Sequence, residues 1–391
     1  MRLGRTVAGV VALCCAAVGC AAEPRGGGTA REPRRRPARM AVARPTPTPT
    51  PSPSPTVFSS DRSLRLVRTI GGAISPKSVV ASGRGLVFAQ NMMYRHTVTV
   101  YDADGNLVST IPDTVRLSDF GYPEHPGTFR GAPVEAAFSA DGSSVYVSNY
   151  AMFGPGFDHP GDDKCFPSDG FDSSYLYRIA LASMEIDQVI AVGSVPKYVA
   201  VTPDGRYVLA SNWCSYDLSV ADVGTGREIR RVRLGAYPRG IAVDARSTVA
   251  YVAVMGSYDI AKVSLADFTV SWIRGVGNSP RHVVLDPHGR YLYATTNGDG
   301  RVVKIDLSTE RVTGRVTTGQ APRSMAIAPD GASLYVVNHE SKTVTKLRAA
   351  DLQILQTVET AEHPIGITYD RGTDRVWVAC YSGSIMVFDD R

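Results

Sequence analysis

Five basic residues occupy one place in a repeating unit: Lys77, Lys197, Arg239, Arg281 and Arg323 each follow the proline that opens a unit. Val134 and Ile365 hold the same place in the two remaining units. Like charges gathered around one narrow opening repel unless an anion or carboxylates compensate them, and a low-dielectric mouth focuses their field. Arginine adds a planar fork of donors that matches carboxylate or phosphate. With His282 and His363 close by in sequence register, the series offers a site for an anionic small molecule, contacted above all by Arg239, Arg281 and Arg323. The residues leave a second reading open, in which each cation pairs locally with an acidic group or caps a contact between units.

A second chemistry is offered by the stretch from Tyr150 to Tyr175, where Asp158, His159, Asp162, Asp163, Asp169 and Asp172 crowd together. Hard cations such as Ca2+ take several oxygen ligands at about 2.3–2.6 Å, which makes Asp158, Asp162, Asp163 and Asp169 the candidate metal ligands and Ca2+ the one cofactor this loop suggests. Their spacing departs from the EF-hand pattern, and a solvated loop held by Asx turns is the competing reading. No other cofactor is expected. The chain has no C-x-x-C-H, H-E-x-x-H, G-x-S-x-G or P-loop sequence, so a covalently attached haem, a helical zinc site, a serine-hydrolase elbow and a nucleotide cradle are all absent.

The units that carry these residues repeat every 42 positions, at Pro196, Pro238, Pro280, Pro322 and Pro364, with looser copies opening at Pro76 and Pro133. A period near 40–45 residues is the signature of propeller blades. Each unit reads as four short strands, because its apolar runs are four to six residues long, rich in Val, Ile and Tyr, and punctuated by Gly-containing turns. In the third, "KYVAV" is the inner strand and "REIRRVRLG" the polar outer one. The seventh unit stops after three strands at "GSIMVFDD", and "SLRLVRTIGG" (residues 63–72) matches the missing fourth. The expected fold is therefore all-β: a seven-bladed propeller closed by an N-terminal strand added to the last blade, which removes open edges.

"YVSN" at 146–149, "LYVVN" at 334–338 and the "TPDG" and "APDG" turns resemble the YVTN-repeat, YncE-like seven-bladed propellers over about 330 residues. The resemblance implies the fold and not an activity, since propellers host many unrelated functions. In this architecture the loops leading into the inner strands share a face with the loops joining second and third strands. That face would hold His96, His125, His159, His282, His339 and His363, together with both long insertions, 112–131 and 150–175.

The ends belong to a different class of sequence. Arg2 and Arg5 precede an apolar run that is too short to span a bilayer and suits a secretory signal. It closes in "AVGC", which resembles the lipobox of bacterial lipoproteins; an ordinary signal peptide cut near Ala21 is the alternative. The lipobox implies a lipidated Cys20 at the head of the mature protein. Residues 1–20 are then a lipoprotein signal peptide, 21–58 a Pro-, Arg- and Thr-rich disordered spacer, and 59–391 the propeller. Nine Arg against two Glu lie before residue 60, so the remainder carries −2 of the overall +5. A nearly neutral propeller lacks the basic footprint of a nucleic-acid binder.

With Cys14 and Cys15 removed and Cys20 lipidated, Cys165, Cys214 and Cys380 remain. Cys165 and Cys214 fall in neighbouring loops of one face and are expected to form a disulfide in an oxidising compartment, while Cys380 ends a buried strand. Taken together, the chain reads as a monomeric, extracytoplasmic binding or scaffold propeller on the outer face of the cell membrane, held there by its lipid anchor. Its partner would be an anionic small molecule or a cell-wall component, and no nucleic acid. A lactonase- or lyase-type propeller enzyme with a top-face site, Ca2+-dependent or not, is the alternative.

Overall fold

A computed structural model describes residues 57–391. The expected signal peptide, Cys20 and all of the spacer but its last two residues lie outside the described residues. Seven four-stranded antiparallel sheets make up the fold, with three short 3-10 turns at Ser59–Asp61, Leu117–Phe120 and Pro167–Asp169. The inner strands Pro76–Ala81, Pro133–Phe138, Pro196–Val201, Pro238–Val243, Pro280–Leu285, Pro322–Ile327 and Pro364–Asp370 each open on the repeat proline. Proline suits this place because it lacks the N–H that the inner, unpaired edge would leave without a partner. Each inner strand packs against those of the two flanking blades, and the first against the seventh, which closes the ring. The approach is tight: a Cβ added to Gly240 would lie 2.8 Å from the His282 Cα, and one added to Gly366 would lie 2.7 Å from the Ser78 Cα.

Alternation along the strands builds the core. Second strands such as Tyr207–Asn212 and Ser333–Asn338 are buried along their whole length, whereas outer strands such as Arg227–Arg233 are mostly exposed. Successive blades therefore share apolar layers, for example Leu209 and Val220 of blade three with Val252 and Val263 of blade four.

Closure follows the sequence expectation. Leu64–Ile70 pairs antiparallel with Ser384–Asp390, with Leu66 opposite Phe388 and Ile70 opposite Ile385. Cross-ties bind this strand to blade six: the Leu64 N–H donates to Gln356 Oε1, and Ser59 donates from its N–H and hydroxyl to the Asp330 carboxylate. Beneath it Lys346 donates to the Asp390 carboxylate at 2.5 Å and to the Arg62 carbonyl at 2.8 Å, and the Tyr335 hydroxyl donates to the other Asp390 oxygen.

Both insertions are folded onto the ring. The first forms a two-stranded ribbon, Thr114–Val115 with Phe129–Arg130, whose Val115, Leu117 and Phe129 pack on Met152 and Tyr177. The second is pinned by the Cys165–Cys214 disulfide, whose Cα atoms are 5.3 Å apart. Cys380 is a buried free thiol.

Candidate functional site

One backbone device recurs around the top of the ring. Val195, Tyr237, Ser279, Ala321 and His363, each just before the repeat proline, have φ between 52° and 62°. Non-glycine residues rarely hold this left-handed conformation. It is over-determined here by a hydrogen bond: the carbonyls of these residues accept from the N–H of Trp213, Met255, Asn297, His339 and Tyr381 respectively. The hairpin so formed starts the inner strand at a set angle and brings the residue after the proline to the central opening.

Lys77, Lys197, Arg239, Arg281 and Arg323 accordingly converge, the first four each feeling the charge of others in the set. Only Lys197 is ion-paired among the described residues, to Asp163 at 2.5 Å. Burial, then the Arg239 charge, pushes the Lys197 ammonium down to about 7. Burial first and the neighbouring cations next lower Lys77 and Arg281, and Arg239 falls to about 10. The Nε of Arg323 is buried without a partner. Local pairing is thus the fate of one cation, and the other four keep donors free.

Lys77, Lys197, Arg239 and Arg281 are held by side chains of the preceding blade, and Lys197 also by Trp213 of its own. Lys77 lies 5.1 Å from the ring centre of Tyr381, Lys197 4.4 Å from Tyr150 and 5.0 Å from Trp213, and Arg239 5.9 Å from Trp213. Arg281 reaches the Met255 sulfur at 3.6 Å. Aromatic faces attract cations without consuming their hydrogen-bond donors, so Lys77 and Arg239 are positioned while their N–H groups remain available. Trp213, Met255, His339 and Tyr381 sit at multiples of 42 from one another, a signal present in the repeat and unread at the sequence level.

Below the mouth the channel holds a cavity of about 250 Å3, lined by Glu135, Tyr198, His282 and Ser324 among apolar inner-strand side chains. Tyr198 meets His282 edge-on at 5.3 Å. Burial above all raises the Glu135 carboxyl to about 7, and it lowers His282 to about 3 with help from Arg239 and Arg281. His282 is therefore neutral. Glu135 and Tyr198, the latter pushed above its ordinary range by burial, are site residues that sequence reasoning missed.

The acidic insertion does not form the expected Ca2+ cage. Asp163 turns to Lys197 and offers its carbonyl to Trp213 Nε1 at 3.0 Å, Asp162 accepts from the Asp163 and Lys164 N–H groups of its own loop, and Asp169 accepts from the Phe166 N–H at 2.8 Å. With Asp158 they give no set of convergent ligand atoms; among the described residues, the group that does converge is His339, Glu340 and His363. His363 stands against His339, its ring centroid 4.7 Å away with 32° between planes, and so belongs to the rim. His96 Nδ1 donates to the Gly131 carbonyl at 2.7 Å, and His125 stacks on Phe157.

Comparison with known proteins agrees with this architecture. A YNCE-like beta-propeller family model matches residues 176–324, and a Cytochrome D1 heme domain model matches residues 273–384. No curated protein sequence is matched. Among solved structures the chain is similar to hydrazine synthase of Kuenenia stuttgartiensis, with a TM-score of 0.63 and 18% identity over 81% of this chain and 96% of that one. A likeness at that identity shows the fold, and a fold matched by 1733 solved chains carries no activity with it.

The haem-domain match spans four histidines, His282, His288, His339 and His363. His339 and His363 lie side by side, so they cannot ligate opposite faces of one macrocycle. The cavity onto which His282 opens, about 250 Å3, is smaller than the roughly 300–1,000 Å3 that ligand pockets ordinarily offer. The His339–His363 pair therefore offers no bis-histidine ligation of a haem.

Proposed function

The chain being a YncE-like seven-bladed β-propeller, we propose that it is a binding module for small anionic ligands bearing carboxylate or phosphate groups, taken at the mouth of the central channel. The observation that carries this reading is the crown of Lys77, Lys197, Arg239, Arg281 and Arg323, five cations faced by three carboxylates, Asp163, Glu135 and Glu340. Buried like charges with free donors are costly to the empty protein, and an anion relieves that cost.

Sulfate, whose charge is constant between pH 6 and 8, is the probe. The expected result is calorimetric binding in the wild type and its loss in R239Q/R281Q/R323Q, with a melting temperature unchanged or raised because like-charge repulsion has been removed. The sign of the pH dependence follows from two groups near 7. Below that value Lys197 is charged and Glu135 neutral; above it Lys197 discharges and Glu135 ionises. Affinity should fall as pH rises through about 7, by roughly tenfold between pH 6 and 8 if the two changes together cost about 1.4 kcal/mol. Equal binding by the triple variant, or affinity rising with pH, would overturn the reading.

The setting proposed for this module is the outer face of the cell membrane, with Cys20 lipidated and residues 21–58 as the spacer. The Cys165–Cys214 disulfide supports an oxidising compartment, and stable anchoring needs more than one acyl chain. Cys20→Ala should move the expressed protein from the detergent-rich to the aqueous phase on Triton X-114 partition. Wild-type protein found wholly in the aqueous phase would remove the anchor.

A further inference from the structure

The geometry points to a divalent transition-metal site on the rim of the propeller, built from His339, Glu340 and His363 and independent of the Asp-rich insertion. One ligand atom from each of the three lies within 4.8 Å of the others. His339 Nδ1 is 2.8 Å from Glu340 Oε1. The Nδ1 of His363 is buried and has no hydrogen-bond partner among the described residues. An unsatisfied buried nitrogen is costly to the folded protein, and a metal ion is one of the partners that relieves such an orphan.

The scaffold explains why these residues meet. His339 follows the second strand of blade six, and its N–H is held by the Ala321 carbonyl; His363 is the left-handed residue that leads into blade seven, its carbonyl held by Tyr381. The same two positions, 126 residues earlier, hold Trp213 and Tyr237, which stack at 4.5 Å with 30° between planes. The slot therefore presses two flat rings together in both places where it is filled by rings. In blades six and seven those rings are imidazoles, and Glu340 stands where blade three has Cys214.

Two imidazoles and one carboxylate select Zn2+ or a neighbouring first-row ion over Ca2+, which wants an all-oxygen shell. Three protein ligands leave a coordination position open. The cluster itself adjoins Arg323, whose guanidinium feels the Glu340 charge, so the metal site would stand beside a cation of the crown.

The test uses the folded chain after dialysis against EDTA. Zn2+ titration should give one site per chain, Co2+ should give visible d–d absorption, and Ca2+ should give no heat. H339A and H363N should each weaken Zn2+ binding at least tenfold, asparagine being chosen because it tolerates the left-handed backbone, and E340Q should weaken it less. Thermal denaturation of each variant checks folding. R239Q/R281Q/R323Q should bind Zn2+ at least as tightly as the wild type, so the metal site and the anion site succeed or fail separately. No Zn2+ binding by stripped wild-type protein, or wild-type affinity in folded H339A/H363N, would overturn the proposal.

Discussion

Asp390→Ala is expected to destabilise the propeller by about 3–5 kcal/mol, the cost of leaving one member of a buried ion pair without its partner. Asp390 and Lys346 are both fully buried, and the pair is completed by the Tyr335 hydroxyl and the Arg62 carbonyl. Alanine would strand the ammonium against Tyr335, 5.5 Å from its ring centre, with only one carbonyl acceptor. The consequence reaches beyond the pair. Asp390 faces Leu64 in the strand couple that closes the ring, so its loss frees the N-terminal strand and exposes the edge of blade seven, whose leading loop carries His363. Replacing both partners, K346M/D390A, should recover most of the loss, since an apolar pair avoids the desolvation penalty altogether. Urea denaturation measures both. A loss below about 1 kcal/mol in the single variant would mean that water reaches the pair and screens it.

The second large effect is that of the disulfide. C165S/C214S should lower stability by about 4 kcal/mol on the chain-entropy account of a loop with sequence separation 49. It should also tighten sulfate binding. Cys165 packs with Val195, Trp213 and Cys214, and its carbonyl accepts from the Tyr216 hydroxyl at 2.7 Å. Those contacts hold Asp163 against Lys197, the one neutralised cation of the crown. Releasing the insertion removes that carboxylate and leaves Lys197 to an anion. Guanidinium denaturation reads the first effect and calorimetry the second. The unreduced mature protein, with Cys14 and Cys15 removed and Cys20 lipidated as proposed, should show one reactive thiol on unfolding, from Cys380. Loss of sulfate binding in a folded C165S/C214S protein would mean that Asp163 orders the mouth instead of competing for it.

What the sequence determined by itself was everything that repeats. A 42-residue period, an incomplete last unit and a matching orphan strand suffice for seven blades and their closure, because each blade buries its apolar faces through the same local alternation and can be recognised singly. The cation series was legible for the same reason: residues in one register must point the same way once the ring closes. The pairing of Cys165 with Cys214 was legible because neighbouring blades bring equivalent loops together. Tertiary structure alone decided what each cation touches. Trp213 serves blade four, Tyr381 serves blade one, and Asp163 abandons its acidic neighbours for Lys197, since contacts between blades depend on ring curvature and on how an aperiodic insertion folds back. It alone turned Glu135 and Tyr198 into the channel wall and set His339 beside His363. Charge and spacing are properties of the chain, but burial, and with it the protonation of Glu135 and Lys197, exists only after seven blades have excluded the water between them.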